Sequence, residues 1–322
     1  MIAPVGTLPN ASPERGVLYV ALGAEFVREA ALSATSVKRQ HPGLHITLYT
    51  DTPTAAGPFD AVTPIDPAPQ TLAERKQARL ALLTKSPYPR TLALDTDTYI
   101  CGDILDLFDL LDSFDLAFRH ATAHHYRQEL PFLGDTMEHM PAFFPQPSVG
   151  VLLFRKSPAV DAFLRRWLEL FQRDQAKAVS AGSSLTIGDQ GSCREALYDS
   201  DLRVWVVPTE YNCMFNRPGY LFGPVRILHG RHRDLEAVAA FMNRHAAPRV
   251  YLRLYGHVWV VTGDGQIRGL RTPPNPVTEA RPLRRLWLGV DSALYWHGLG
   301  EALKWAAIQV GHWLTPRGES KL

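Results

Sequence analysis

Short unbroken apolar runs alternate with helix-spaced apolar residues along most of the chain. Gly16-Val-Leu-Tyr-Val-Ala-Leu22 is a continuous apolar run closed by Gly23, the pattern of a strand buried on both faces of a parallel sheet. Phe26, Ala30, Ala34 and Val37 then share one face of a helix over residues 26–40, and His41-Pro42-Gly43 stops it. Ile46-Thr-Leu-Tyr-Thr50 is a second strand, closed by Asp51, so the order is strand, helix, strand. Residues 52–70, crowded with Pro, Ala and Asp, predict a loop. In Thr71-Leu-Ala-Glu74 the hydroxyl and the carboxylate can satisfy each other's backbone donors, a capping box that opens a helix running to about residue 85. After Ser86-Pro-Tyr-Pro89, the run Thr91-Leu-Ala-Leu94 is a third buried strand.

Further strands are expected at 116–118, 149–154, 204–207, 225–228 and 251–261. Ser157-Pro158 opens a helix whose stripe is Val160, Phe163, Leu164, Trp167, Leu168 and Phe171, and Asp189 opens another. Residues 119–146, with His120, His124 and His125, have no period and predict a long irregular segment of the kind used as a lid or binding loop. The sum is an α/β domain over residues 16–271 with a mostly parallel central sheet flanked by helices. A loose arm, 1–15, precedes it. A proline-rich linker and a helical extension, 283–322, follow.

Composition narrows the class. Of 322 residues, 46% are hydrophobic and 20% charged, as in ordinary globular proteins, and the length suffices for a large buried core. The balance of 34 Lys+Arg against 32 Asp+Glu gives +2, too little to argue for nucleic acid. Cys101, Cys193 and Cys213 are widely spaced, which predicts neither a disulfide framework nor a structural zinc site and fits a reducing, cytoplasmic setting. The first 16 residues lack an apolar core segment and read as no signal peptide, and no run of about 18 apolar residues predicts a membrane span.

The chemistry gathers at Leu92-Ala-Leu-Asp95-Thr96-Asp97. Two carboxylates stand where a buried strand ends, and in open α/β sheets ligands bind beyond the carboxyl ends of the strands. If the segment leaves the strand extended, both side chains point the same way. Two such carboxylates repel unless a cation lies between them. Hard divalent cations, Mg²⁺ or Mn²⁺, take carboxylate oxygens together with substrate phosphates. The plainer use of the pair is a cap at Asp95 and a solvated Asp97.

Five segments, in order, resemble the GT-A-fold nucleotide-diphospho-sugar transferases, most of all glycosyltransferase family 8. They are Ser86-Pro-Tyr-Pro leading through the strand to Asp95-Thr96-Asp97, Pro147-Ser-Val-Gly-Val-Leu-Leu-Phe154, Gly188-Asp-Gln190, Val207-Pro-Thr-Glu-Tyr-Asn212 and Ile227-Leu-His-Gly230. The resemblance covers roughly residues 16–235. Ser148 stands where the family has Asn, and Arg231-His232-Arg233 replaces its downstream Gly-x-x-Lys-Pro-Trp.

The resemblance implies that a nucleotide-diphosphate sugar, with a uridine nucleotide as first choice, donates its sugar to a glycan or lipid acceptor. It implies His229 as the third metal ligand beside Asp95 and Asp97, and imidazole favours Mn²⁺ over Mg²⁺. It sets Ala21, Leu22 and Gly23 beside the base, Asp51 on base or ribose, and a basic residue among Lys76 and Arg79 against the diphosphate. Arg231 to Arg233 are a further candidate for that contact. Asp189 and Gln190 would position sugar and acceptor, with Asp189 as the base should the reaction invert; Asp189 can also simply cap its helix, and Glu210 is a lesser acceptor candidate.

Two other functions remain open: a catalytically inactive nucleotide-sugar-binding or scaffold protein, and a sugar nucleotidyltransferase. The latter calls for a Gly-rich basic loop after the first strand, where this chain has Gly23-Ala-Glu-Phe-Val-Arg28. Trp287, Trp296, Trp305 and Trp313, with Arg281, Arg284, Arg285 and Lys304, make residues 283–314 a candidate for peripheral contact with an anionic membrane, or for a cover over the domain.

Overall fold

A computed structural model of the chain describes residues 13–52, 56–66, 68–121, 140–141, 144–182, 187–244, 248–254 and 257–271. Residues 1–12 of the expected arm, His124, His125 and the tryptophan-bearing extension lie outside the described residues, while Arg15 already belongs to the first strand. Among the described residues no helix is long and apolar enough to cross a membrane. The chain divides into two compact units. The first holds residues 1–213 and 224–229, and the second holds 214–223 and 230–322.

The first unit begins with β1 (Arg15–Ala21), α1 (Ala24–Gln40), β2 (His45–Thr50) and β3 (Ala61–Pro64). There follow α2 (Leu72–Leu83), β4 (Arg90–Leu94), β5 (Thr98–Ile100), a short α3 (Asp106–Asp109) and β6 (Leu116–His120). The chain continues through β7 (Pro147–Arg155), α4 (Pro158–Ser180), α5 (Gln190–Tyr198) and β8 (Val204–Val206) to the two-residue β9 (Cys213–Met214). The main sheet has the order β3-β2-β1-β4-β7-β6-β8. Its neighbours run parallel except where β7 pairs with β4 and with β6. The expected α/β architecture with a mostly parallel sheet is therefore present.

Strict alternation builds two cores. Val17, Tyr19 and Ala21 join Leu92, Leu94, Val151 and Leu153 against α1 and α3. Leu18, Ala93, Leu152 and Phe154 face the other way, onto α2, α4 and α5. A sheet buried on both faces needs apolar residues at consecutive positions, which is why these strands read as unbroken runs. The Thr71 capping box forms: Thr71 N donates to Glu74 Oε2 at 2.9 Å, and Glu74 N donates to Thr71 Oγ at 3.1 Å. Ser157 Oγ likewise accepts from Val160 N at the start of α4.

Several expectations are corrected. Residues 52–70 are not all loop, because Ala61–Pro64 adds a largely exposed parallel edge strand to β2. In α4 the buried stripe takes Leu170, while Leu168 is only partly buried. The segment 251–261 is not one strand. In the second unit, β10 (Gly219–Leu221), β12 (Arg249–Leu254), β13 (His257–Thr262) and β14 (Ile267–Arg271) form an antiparallel sheet in that order. The same unit holds α6 (Leu235–Asn243), whose N-cap Asp234 accepts from Ala237 N. Arg231, His232 and Arg233 belong to this second unit.

Candidate metal centre

β4 ends at Leu94, and Asp95 N still donates to Gly150 O of β7 at 2.8 Å. The next two residues, Thr96 and Asp97, form a turn rather than the extended continuation expected from the sequence. The carboxylates meet because the chain turns into β5, which pairs antiparallel with β11 (Ile227–His229), so that His229 lies opposite Thr98. His229 Nε2 is 3.7 Å from Asp95 Oδ2 and 3.4 Å from Asp97 Oδ1. One ligand atom from each of the three side chains lies within 4.8 Å of the others.

His229 is 7% exposed and so lies within the packed end of the sheet, not on its surface. Its Nδ1 is 2.9 Å from Asn212 Oδ1, while Asn212 Nδ2 faces Ser148 O at 3.4 Å and Ser148 Oγ at 3.2 Å. Because a carbonyl only accepts, the amide orientation is fixed. Asn212 therefore offers oxygen to the imidazole, and Nδ1 carries the proton. With the proton on Nδ1, Nε2 is the ring nitrogen that faces the two carboxylates and is left to ligate a cation. Ligands about 2.1 Å from an octahedral cation stand roughly 3 Å apart. Nε2 of His229 stands slightly wider than that from both carboxylates, at 3.4 and 3.7 Å, so a small closing movement would bring the three side chains onto a divalent cation.

Arg79 sits on the opposite side of Asp95. Its Nη2 donates to Asp95 Oδ1 at 2.8 Å and to Val149 O at 3.0 Å, and its Nη1 lies 3.5 Å from Asp189 Oδ2. The oxygens of Asp95 are thus divided, Oδ1 toward arginine and Oδ2 toward His229. Burial works against the charge on Arg79, but Asp95 and Asp189 outweigh it and raise its pKa above the ordinary arginine value. Lys76 Nζ donates to Ile187 O at 3.1 Å and stands 4.0 Å from Asp189 Oδ1. Lys76 and Arg79 are therefore not a solvated face. Nor does Asp189 cap its helix through its side chain. Arg79→Met should take the arginine counter-charge from Asp95 and leave Asp189 with Lys76 alone. With Asp95 about one-third exposed (35%), solvent screens part of the loss. Urea unfolding of the metal-free protein should show about 1–3 kcal/mol of destabilisation, mostly restored in Arg79→Lys.

The remaining predicted residues line the same end of the sheet. Ala21 and Leu22 are buried, which leaves the main chain and Gly23 at that edge. Gly23 adopts φ 108°, a conformation glycine takes without strain, and its N–H donates to Asp51 Oδ1 at 2.7 Å. Gln190, the first residue of α5, accepts from Gln146 Nε2 at 3.3 Å. Thr96 Oγ donates to Glu29 Oε2 at 2.8 Å. Cys193, buried next to Asp189, has its thiol pKa pushed well above the usual value by burial first and by Asp189 second, so it is no nucleophile. All three cysteines are free. A cavity of about 570 Å³ is lined by Val27, Arg28, Ala31 and Pro58 among others. None of the acidic cluster lines it, and its mostly apolar wall suits none of the chemistry above.

Sequence reasoning gave no role to several residues here. Thr98 Oγ donates to Asp95 O at 2.9 Å, and Ser33 and Tyr19 continue that hydrogen-bonded line beneath the turn, at 2.8 and 2.7 Å. The only signal for it was two serines, Ser33 and Ser36, at core positions of an amphipathic helix. Asn212 lies within the Val207–Asn212 motif, and Glu29, Gln146 and Arg119 carry no signal in the sequence.

The fold and site together define an α/β protein with a cation-ready acidic cluster at the carboxyl edge of its sheet. No family model matches the sequence, and no curated protein matches it. Among solved structures it resembles mouse xyloside xylosyltransferase 1, at 15% identity over 67% of this chain and 97% of that one, with a TM-score of 0.47. It also resembles the galactosyltransferase LgtC in complex with donor and acceptor sugar analogues, at 15% identity over 70% and 96%, TM-score 0.41. A third is the glycosyltransferase GlyE of Streptococcus pneumoniae TIGR4, at 18% identity over 68% and 56%, TM-score 0.44. All three are glycosyltransferases, the class that the sequence motifs resemble. Likeness at this level leaves the chemistry to be argued from the side chains.

Proposed function

We propose that the chain is a metal-dependent glycosyltransferase that takes a nucleotide-diphosphate sugar, with a uridine nucleotide as first choice, and passes the sugar to a glycan or lipid hydroxyl. The observation that carries this reading is the convergence of Asp95, Asp97 and His229, from segments far apart in sequence, on one small volume at the ligand-binding edge of the sheet.

When bound there, Mn²⁺ or Mg²⁺ supplies a Lewis acid that offsets the charge growing on the departing diphosphate. The chain's own residues do the rest. Asn212 holds His229 in one tautomer. Arg79 ties Asp95 to Asp189, so the carboxylate on the metal side and the one on the sugar side move together. Lys76 adds a second cation next to Asp189, and fixed charges of this kind need no reorganisation as the bond breaks. Asp189 and Gln190 orient sugar and acceptor. The Ser148 departure from the family pattern speaks less for an inactive relative once its hydroxyl is seen to hold Asn212.

A hydrolysis and transfer screen over nucleotide sugars, with and without Mn²⁺, tests the proposal. Mn²⁺-dependent release of a nucleoside diphosphate is the expected result. If no nucleotide sugar is bound or cleaved with either cation, the proposal fails. Asn212→Ala should weaken Mn²⁺ binding by about 10- to 100-fold, read by titration calorimetry, because the imidazole loses the partner that fixes its orientation. Unchanged Mn²⁺ affinity would remove Asn212 from that role.

A further inference from the structure

Two buried side-chain atoms at the same end of the sheet have no hydrogen-bond partner. Arg119, near the carboxyl end of β6, is 4% exposed, and its Nη1 has no hydrogen-bond partner. Among the described residues no carboxylate forms an ion pair with it. Gln146, which precedes β7, is 1% exposed, and its Oε1 accepts from nothing. Burying a guanidinium without a counter-charge is costly, and structures seldom tolerate it unless a ligand completes the site.

Position ties the pair to the centre already described. Arg119 lies opposite Ser148 in the β6–β7 ladder, next to a register shift between Phe118 and Arg119. Side chains directly opposite across strands have Cβ atoms roughly 5 Å apart. Ser148 bonds Asn212, which bonds His229. Gln146 is bound through Ala121 N to the end of β6 and through its amide to Gln190. Arg119 is therefore a cross-strand neighbour of the serine that supports Asn212 and His229, and Gln146 a hydrogen-bond partner of Gln190.

We infer that Arg119 and Gln146 form a subsite for an acidic saccharide, with the Arg119 guanidinium taking a sugar carboxylate and Gln146 Oε1 taking a neighbouring hydroxyl. Arg119 offers donors and positive charge and calls for an oxyanion; Gln146 Oε1 calls for a donor. A uronic acid carries both groups side by side. A planar carboxylate matches the guanidinium fork and its single charge, whereas a phosphate dianion would remain half compensated by one arginine. Were Arg119 and Gln146 to rotate onto each other, the hydrogen bond would be made but the charge would still lack a partner among the described residues. The inference rests on the glycosyltransferase reading for its assignment to donor or acceptor, but not for the subsite itself.

Calorimetric titration of the full chain with Mn²⁺ provides the test. UDP-glucuronate and UDP-galacturonate are compared with UDP-glucose and UDP-galactose, and the methyl uronides with the methyl hexosides. The native chain should prefer the acidic member of one set by about tenfold, the worth of one charge-assisted pair. In Arg119→Gln and Arg119→Met the ratio should fall to near one. Preference among the nucleotide sugars assigns the carboxylate to the transferred sugar, and preference among the methyl glycosides assigns it to the acceptor. Thermal unfolding of the ligand-free chain gives a second readout: Arg119→Met should raise Tm by a few degrees, because an uncompensated charge has gone.

The inference is overturned by no preference in either set, by an equal loss of affinity for UDP alone in Arg119→Gln, or by a lower Tm in Arg119→Met. The second outcome would assign the guanidinium to the diphosphate, and the third to the fold. A native chain that binds no nucleotide yet still prefers methyl uronides would sink the glycosyltransferase proposal and keep this one.

Discussion

Asp97→Ala is expected to lower Mn²⁺-dependent turnover of a nucleotide sugar by about 10³-fold while leaving the metal-free fold intact. The argument lies in what the side chain touches. Asp97 Oδ1 is the nearer of the two carboxylate oxygens to His229 Nε2, at 3.4 Å, and its side chain is 14% exposed. Asp95 gives one oxygen to Arg79 and has only the other for a cation. Losing Asp97 therefore leaves the cation one shared carboxylate and an imidazole, too little charge to hold it against solvent at ordinary concentrations. Without metal the same substitution removes a like-charge neighbour of Asp95, so Tm of the metal-free chain should stay level or rise. Stopped activity with unchanged Mn²⁺ affinity would show that Asp97 acts in some other way, and a collapsed Tm would show that it holds the fold.

Gly150→Ala should be nearly as damaging through a side chain that has no chemistry. An added Cβ would lie 2.2 Å from His229 Cε1, 2.7 Å from Asp95 Oδ2 and 2.9 Å from His229 Nδ1. Contacts that short cannot stand. Neither neighbour is free to retreat, because Asn212 holds the ring at Nδ1 and Arg79 holds the carboxylate at Oδ1. The main chain is fixed as well, since Gly150 O accepts from Asp95 N. Calorimetry should read a loss of Mn²⁺ affinity of about 100-fold, and urea unfolding a cost of about 1–3 kcal/mol. Native Mn²⁺ affinity in the variant would mean that the three ligands do not depend on this gap.

What could be read in the sequence was what local pattern determines. β1, β2, β4 and β7 are buried on both sides and so are continuous apolar strings, while the Thr71 and Ser157 caps are set by a few adjacent residues. β3 escaped because Ala61–Pro64 lies on an edge and is mostly exposed, with no apolar string to betray it. The break between β12 and β13 escaped because both arms are apolar and alike. Asp95 and Asp97 were legible as a pair. Their geometry was not, because a turn converges them and a three-residue ladder with β11 delivers His229. Arg79 was visible as a basic residue on the right helix, but its grip on Asp95 and Asp189 depends on how α2 packs. Asn212, Arg119 and Gln146 acquire meaning only through cross-strand register, which no single stretch of sequence encodes.

The pairing of β5 with β11 is only Thr98–Ile100 against Ile227–His229, and the ligands flank its open end: Asp97 just before one strand, His229 at the end of the other. A cation gripped by both is a staple across that short zipper. Peeling β11 away and releasing the ion become a single event, so whatever strengthens one strengthens the other by the same free energy. Scarcity of free metal in the surroundings would then loosen a stretch of backbone as well as silence a reaction centre.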